Sequence, residues 1–242
     1  MIRLLLAGLL LLPTIAQALT LALTLEGAAQ QGGLMIGRAA PGATITLDGQ
    51  KVATTPGGDF VLGFGRDAKP VAQLVVRHKD GKRETRTIAV AARKYKIQRI
   101  DGLPKRKVEP KKRDMTRIIA ERDQFRRVRS RLTPQSWFRS GFVWPVTGRI
   151  SGVYGSQRIL NGQPRSPHLG VDIAAKTGTK VVAAADGVVA LAHDGMFFTG
   201  KTLHIDHGLG LGTVYAHLSR LDVKQGEHVR KGQLIGRIGQ TG

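Results

Sequence analysis

The chain has 242 residues, 41% of them hydrophobic and 23% charged. That is enough apolar content for packed cores, which argues against wholesale disorder, and enough length for two domains. Lys and Arg number 38 against 17 Asp and Glu, a formal net charge of +21 that calls for an anionic partner or environment. Cysteine is absent, so disulfides and a lipid-carrying cysteine are both excluded.

Met1 to Ala18 has the form of a secretory signal peptide. Arg3 supplies the positive start, Leu4 to Leu12 the apolar run, and Ala16-Gln17-Ala18 the small-residue cleavage pattern. The run is too short for a permanent span. Cleavage near Ala18 and a periplasmic or secreted product are expected, with a buried first strand as the alternative.

From Leu19 to residue 91 the chain reads as a small β-sandwich. Leu19 to Leu25 alternates apolar with small or polar residues, as a half-buried strand does. Turn signals at Pro41-Gly42, Asp48-Gly49, Pro56-Gly57-Gly58 and Asp80-Gly81 separate further short strands, a spacing that predicts an immunoglobulin-like architecture. The 31 glycines and only 5% aromatics fit tight turns and short strands, so the fold class is mainly β.

Residues 92–134 turn basic. Arg93, Lys94, Lys96, Arg99 and the clusters Lys105-Arg106-Lys107 and Lys111-Lys112-Arg113 are interrupted by Pro104 and Pro110, which predicts a linker. A short helix follows from about Asp114 to Arg131, with Ile118, Phe125 and Val128 on one side. Such charge is either a solvated face or a tether to anionic envelope polymers or a membrane surface. No nucleic-acid-binding motif accompanies it, so nucleic acid is not an expected partner. Residues 135–242 read as a second, antiparallel β domain, with glycines breaking runs of β-branched residues at sharp corners.

Chemistry concentrates in this second domain, where six of the seven histidines lie beyond Ser166. In His168-Leu-Gly-Val-Asp172 an imidazole and a carboxylate suit a metal such as zinc, which accepts N and O ligands. In a straight strand their Cα atoms would stand about 13 Å apart. Sharing an ion therefore requires a bend, which Pro167 and Gly170 supply. A loop histidine followed by a strand-edge aspartate explains the pair without any metal. His193 and His228 read as surface residues, His204 as a packed strand residue, and His207 as a turn residue with a structural hydrogen bond. Period-two alternation puts Tyr215 and His217 on one face, opposite Val214, Ala216 and Leu218, so that a polar pair could line a groove floor. Tyr215 and Asn161 are the substrate-binding candidates.

The run Gly148-x-Ile-Ser-x-x-Tyr-Gly155, His168-x-Gly-x-Asp172, Gly178-Thr-x-Val-x-Ala-Ala-x-Gly187, Ile205-Asp-His-Gly208, Tyr215-Ala-His-Leu-Ser219 and Val229-x-Lys-Gly-x-x-Ile-Gly236 resembles the lysostaphin-type, or LytM-type, zinc endopeptidases that cut peptidoglycan peptides. It covers roughly Trp144 to Gly242. The resemblance implies His168 and Asp172 as ligands of Zn2+, His217 as an acid-base and oxyanion-stabilising group beside the metal, and peptidoglycan as substrate. That family completes its site with a His-x-His segment beyond Gly-x-Thr-Gly, so the sequence, which reaches Gly239-Gln240-Thr241-Gly242, is expected to carry a C-terminally incomplete domain. The expectation is an exported zinc-dependent endopeptidase. One alternative is a non-catalytic module of the same fold that binds the wall or activates a separate amidase. Another is a biotinyl or lipoyl carrier domain, to which Val188 to Ala192 and Gly226-x-x-Val-x-x-Gly232 are similar, but the exposed lysine at a hairpin tip is missing.

Overall fold

The computed structural model describes residues 23–242; the expected signal peptide and the start of the first predicted strand lie outside them. Seven strands come first: β1 (Thr24–Gly27), β2 (Leu34–Arg38), β3 (Thr44–Leu47), β4 (Gln50–Val52), β5 (Asp59–Gly63), β6 (Val71–Arg77) and β7 (Arg83–Ala89). They pair antiparallel in two sheets, ordered β1-β2-β5 and β4-β3-β6-β7. In β6 the alternation is plain, with Ala72, Leu74 and Val76 buried and Val71, Gln73 and Arg77 exposed. These residues share one core with Ile45 on the neighbouring β3 and with Phe60 and Leu62 from the other sheet, the sandwich that the turn spacing predicts. Gly37 is required here because any side chain would strike the Phe60 ring.

The basic segment carries the expected helix, and it does more than connect. β8 (Ile97–Ile100) pairs in parallel with β10 (Gln157–Leu160) of the second half. After a single turn, α1 (Lys105–Val108), the helix α2 spans Lys112–Arg129. Composition misses β8 because pairing uses backbone groups, while its one charged side chain, Arg99, stays in water. On α2 the residues turned inward, Asp114, Ile118, Glu121, Phe125 and Val128, recur at helical spacing. Phe125 and Val128 pack on Ala190, Leu191 and Met196.

The second half holds β9 (Arg149–Gly152), β10, β11 (Gln163–Pro164), β12 (Asp172–Ala174), β13 (Lys180–Val182), β14 (Gly187–Met196), β15 (Gly200–Gly208), β16 (Leu211–Leu221), β17 (His228–Val229) and β18 (Leu234–Ile238). Its main sheet is six-stranded and antiparallel, ordered β13-β18-β16-β15-β14-β17. Leu203, Ile205, Val189 and Ile235 fill its core. β9 and β12 form a separate pair, and β10-β11 a hairpin.

Arg139 and Arg66 tie the halves together. Arg139, on a 3-10 turn after α2, donates to the Gly37 carbonyl at 3.0 Å and meets the buried Asp59 carboxylate at 2.9 Å, where Arg38 also binds. Arg66 donates to the Gly155 carbonyl at 2.7 Å.

Candidate active site

The β10-β11 hairpin turns at Asn161 and Gly162, both with positive φ, a conformation that Asn and Gly tolerate best. The Asn161 side chain does not reach towards the His168 loop. Its amide clasps the Leu103 backbone, accepting at 3.1 Å and donating at 2.8 Å, so the substrate-binding candidate is engaged as a strap for the basic segment.

Residues 165–171 follow without regular structure. The loop is pinned at its centre: Gly155 N–H donates to the His168 carbonyl at 2.7 Å, and His168 N–H donates to Ser156 at 2.9 Å. Gly170 bends the chain, β12 begins at Asp172, and His168 Nε2 comes to 3.1 Å from Asp172 Oδ1. Two ligands about 2.1 Å from a tetrahedral ion stand about 3.4 Å apart, so the pair fits a shared metal. Burial lowers the His168 pKa, Asp172 opposes this and Arg158 adds to it. The ring is thus kept neutral, which is the ligating form. Its buried Nδ1 has no well-aligned partner, although the Val153 backbone bears on it.

Two further residues complete this corner. Arg158 holds the other carboxylate oxygen, Oδ2, at 2.8 Å. That fixes the carboxylate in the way outer-shell partners orient metal ligands. Gly152 sits across the strand pair from Asp172, at a bulge between Asp172 and Ile173, and a Cβ there would collide with the carboxylate. Sequence reasoning passed over both. Gly152 lay in the matched run without an assigned role, and Arg158 gave no signal until the fold of the hairpin placed it.

His217 stands apart from Tyr215. A β-bulge interrupts β16 between Tyr215 and Leu218, and His217 takes φ +60°. The bulge breaks period-two alternation. Tyr215 turns into the core, only 7% exposed, while His217 faces solvent. The expected shared face is therefore corrected, and the Tyr215 hydroxyl is spent inside, accepting from Ala184 N–H at 2.8 Å and from Thr213 at 3.0 Å. His217 Nδ1 lies 2.7 Å from the Thr241 carbonyl. A carbonyl only accepts, so Nδ1 carries the hydrogen, and in the neutral ring the lone pair is on Nε2.

The other histidines have structural duties. His207 spans Asp186 O at 2.6 Å and Thr213 Oγ1 at 2.8 Å, fully buried. His204 packs edge-on against Phe125 at 5.6 Å, and burial pushes its pKa down to about 4. His193 is half-buried and accepts from Gly195 N–H, while His228 is exposed against Trp137. Among the described residues no third His, Cys, Asp or Glu joins His168 and Asp172.

Residues 166–242 match the model of Peptidase family M23. Residues 166–242 are a Peptidase M23 domain. The chain is 35% identical over 102 residues to the Lipoprotein NlpD/LppB homolog of Pseudomonas aeruginosa, covering 42% of this chain and 32% of that protein. It is 37% identical over 118 residues to the Peptidoglycan DD-endopeptidase ShyC of Vibrio cholerae, covering 49% and 22% respectively. The chain thus spans a third or less of the length of these relatives. A crystal structure of a candidate M23 peptidase from Pseudomonas aeruginosa matches with a TM-score of 0.65 and 28% identity, over 88% of this chain and 84% of that one. That match extends beyond the M23 domain into the sandwich.

Proposed function

We propose that this chain is the core of an exported zinc-dependent endopeptidase that hydrolyses peptide bonds in peptidoglycan. The observation that carries the reading is the convergence of His168 Nε2 and Asp172 Oδ1 to 3.1 Å across an irregular loop. The M23 match and the relative named as a peptidoglycan endopeptidase support it. His168 and Asp172 would hold the metal, and Arg158 would keep the carboxylate in place from behind. A zinc ion at that position supplies a Lewis acid for the scissile carbonyl and acidifies a water molecule. His217, oriented through Nδ1 by the Thr241 carbonyl, offers Nε2 to take a proton and, once protonated, to donate to the developing oxyanion. The envelope location of this activity and the expected signal peptide agree.

His168→Ala is expected to abolish both retention of zinc through dialysis and release of muropeptides from purified sacculi. Release at the wild-type rate by the metal-free variant would overturn the reading. A second reading is favoured by the presence of only two convergent donors among the described residues. It takes the chain as a non-catalytic module that binds the wall or activates a separate amidase. Wall affinity that survives His168→Ala, with no muropeptide release by either form, would select it.

A further inference from the structure

The solvent face of α2 is a feature that peptide hydrolysis does not use. Helical phase sets Lys112, Arg113, Met115, Ile119, Arg126 and Arg127 on the side opposite the buried stripe, and all six are exposed. Among the described residues no carboxylate pairs with any of the four cations; Asp123, on the same face, is taken by Arg122 at 3.1 Å. In the middle of this unneutralised charge two large apolar side chains stand in water, Met115 at 40% and Ile119 at 41% exposure. Phosphate-rich or acidic polysaccharide chains would satisfy the cations and leave Met115 and Ile119 wet. A bilayer surface offers anionic headgroups and, just beneath them, hydrocarbon.

We propose that the outer face of α2 docks on an anionic phospholipid surface, the cations meeting headgroup phosphates and Met115 and Ile119 entering the interface. The helix is already held from behind, by Phe125 and Val128 on β14. It therefore loses little conformational entropy on docking, unlike a segment that folds as it binds. The proposal is independent of catalysis, since none of its residues touches His168, Asp172 or His217.

The test is co-sedimentation of the chain from Leu19 onward, which keeps every described residue and omits the apolar Leu4 to Leu12 run, with vesicles of phosphatidylglycerol and phosphatidylcholine at physiological salt. Binding is expected to mixed vesicles and not to pure phosphatidylcholine. Replacing Arg113, Arg126 and Arg127 together by Gln should weaken it about 100-fold, at about fivefold per charge. Met115→Ser with Ile119→Ser should weaken lipid binding about tenfold or more while leaving binding to soluble polyphosphate unchanged. Because both side chains are exposed, unchanged thermal unfolding will show that the fold is intact. Equal binding to both vesicle types overturns the proposal. Lipid binding that ignores the double Ser substitution and merely tracks polyphosphate affinity also overturns it, and points to a soluble polyanion. His168→Ala should leave lipid binding unaltered, so loss of the peptidase reading and loss of this one are separately visible.

Discussion

At the scale of single residues, the candidate site is held by what is absent as much as by what is present. Gly152 faces Asp172 across a bulged strand pair, and any Cβ there collides with the carboxylate. Gly152→Ala should therefore push Asp172 away from His168 and reduce zinc affinity by at least tenfold, the effect typical of lost ligand support. Equilibrium competition with a zinc chelator measures this, and unaltered affinity would mean that the carboxylate is free to sit elsewhere. His204 makes the opposite kind of prediction. Its pKa falls from the ordinary 6.5 to about 4 on folding because burial disfavours the charged ring. The folded state then binds fewer protons than the unfolded one, so its full stability is present above about pH 6.5 and declines as pH falls towards 4. Urea unfolding at pH 7.5 and 4.5 should differ by roughly 2 kcal/mol from this residue, and His204→Gln should shrink that difference. The burial of His207 shifts it in the same direction, so part of the trend will persist in the variant. Sequence alone anticipated His204 in a packed strand and His228 at the surface, but it put His207 in a turn where the structure has it buried within β15, and His193 at the surface where it is half-buried. It could not see Gly152 or Arg158 as partners of Asp172, since Gly152 meets it through the register of β9 and β12 and Arg158, on β10 in another sheet, only through tertiary packing.

At the scale of elements, local patterns were readable where periodicity is uninterrupted and opaque where it breaks. The alternation in β6 and the helical spacing in α2 follow side-chain chemistry, so both could be anticipated. The bulge in β16 inserts one residue, sends Tyr215 inward and His217 outward, and carries no compositional mark. β8 was hidden for a different reason: a strand made by backbone pairing to β10 looks, in composition, like any basic linker. The start of α2 gives a prediction of its own. Asp114 accepts from Arg106 through both oxygens, at 2.8 and 2.5 Å, and also from the Lys111 backbone N–H. The Arg106 bond foremost, against the cost of burial, holds its pKa at about 2. Since the ordinary carboxylate value lies near 3.8, this contribution is fully present above about pH 4 and disappears as pH drops through 2. Asp114→Asn should lower the melting temperature at pH 7 and converge on wild type near pH 2. A gap that stays constant over that range would show that the carboxylate acts through shape alone.

At the scale of the whole molecule, the sandwich is joined to the M23 domain by contacts that the two-part sequence reading had no means to foresee, because each lies between residues far apart in the chain. Asp59 is the hub of one of them: it is 3% exposed and receives both Arg38 and Arg139. Burial on its own would raise its pKa, but the two guanidinium groups overcome that and hold the carboxyl below its usual range. Asp59→Asn should cost about 1 to 3 kcal/mol and open the junction to proteolysis. The second contact reaches the candidate site. Arg66 donates to the Gly155 carbonyl, and the N–H of the same Gly155 donates to the His168 carbonyl, so the sandwich grips the loop that presents the first metal-binding candidate. Tyr95 steadies the grip, its ring 4.4 Å beneath the Arg66 guanidinium and its hydroxyl bonded to the Arg66 carbonyl. Arg66→Ala deletes the grip and leaves every residue of the metal corner in place. If the sandwich is only a spacer, zinc affinity and unfolding midpoint will both stay near wild type. If the sandwich sets the loop, zinc affinity should fall several-fold with little change in midpoint, because one partly exposed hydrogen bond contributes only about 1 kcal/mol to global stability while a ligand displaced by a fraction of an ångström loses its geometry. Arg66→Lys, which restores a donor but not the planar stack on Tyr95, should recover part of the affinity, and that ordering distinguishes orientation of the loop from mere destabilisation.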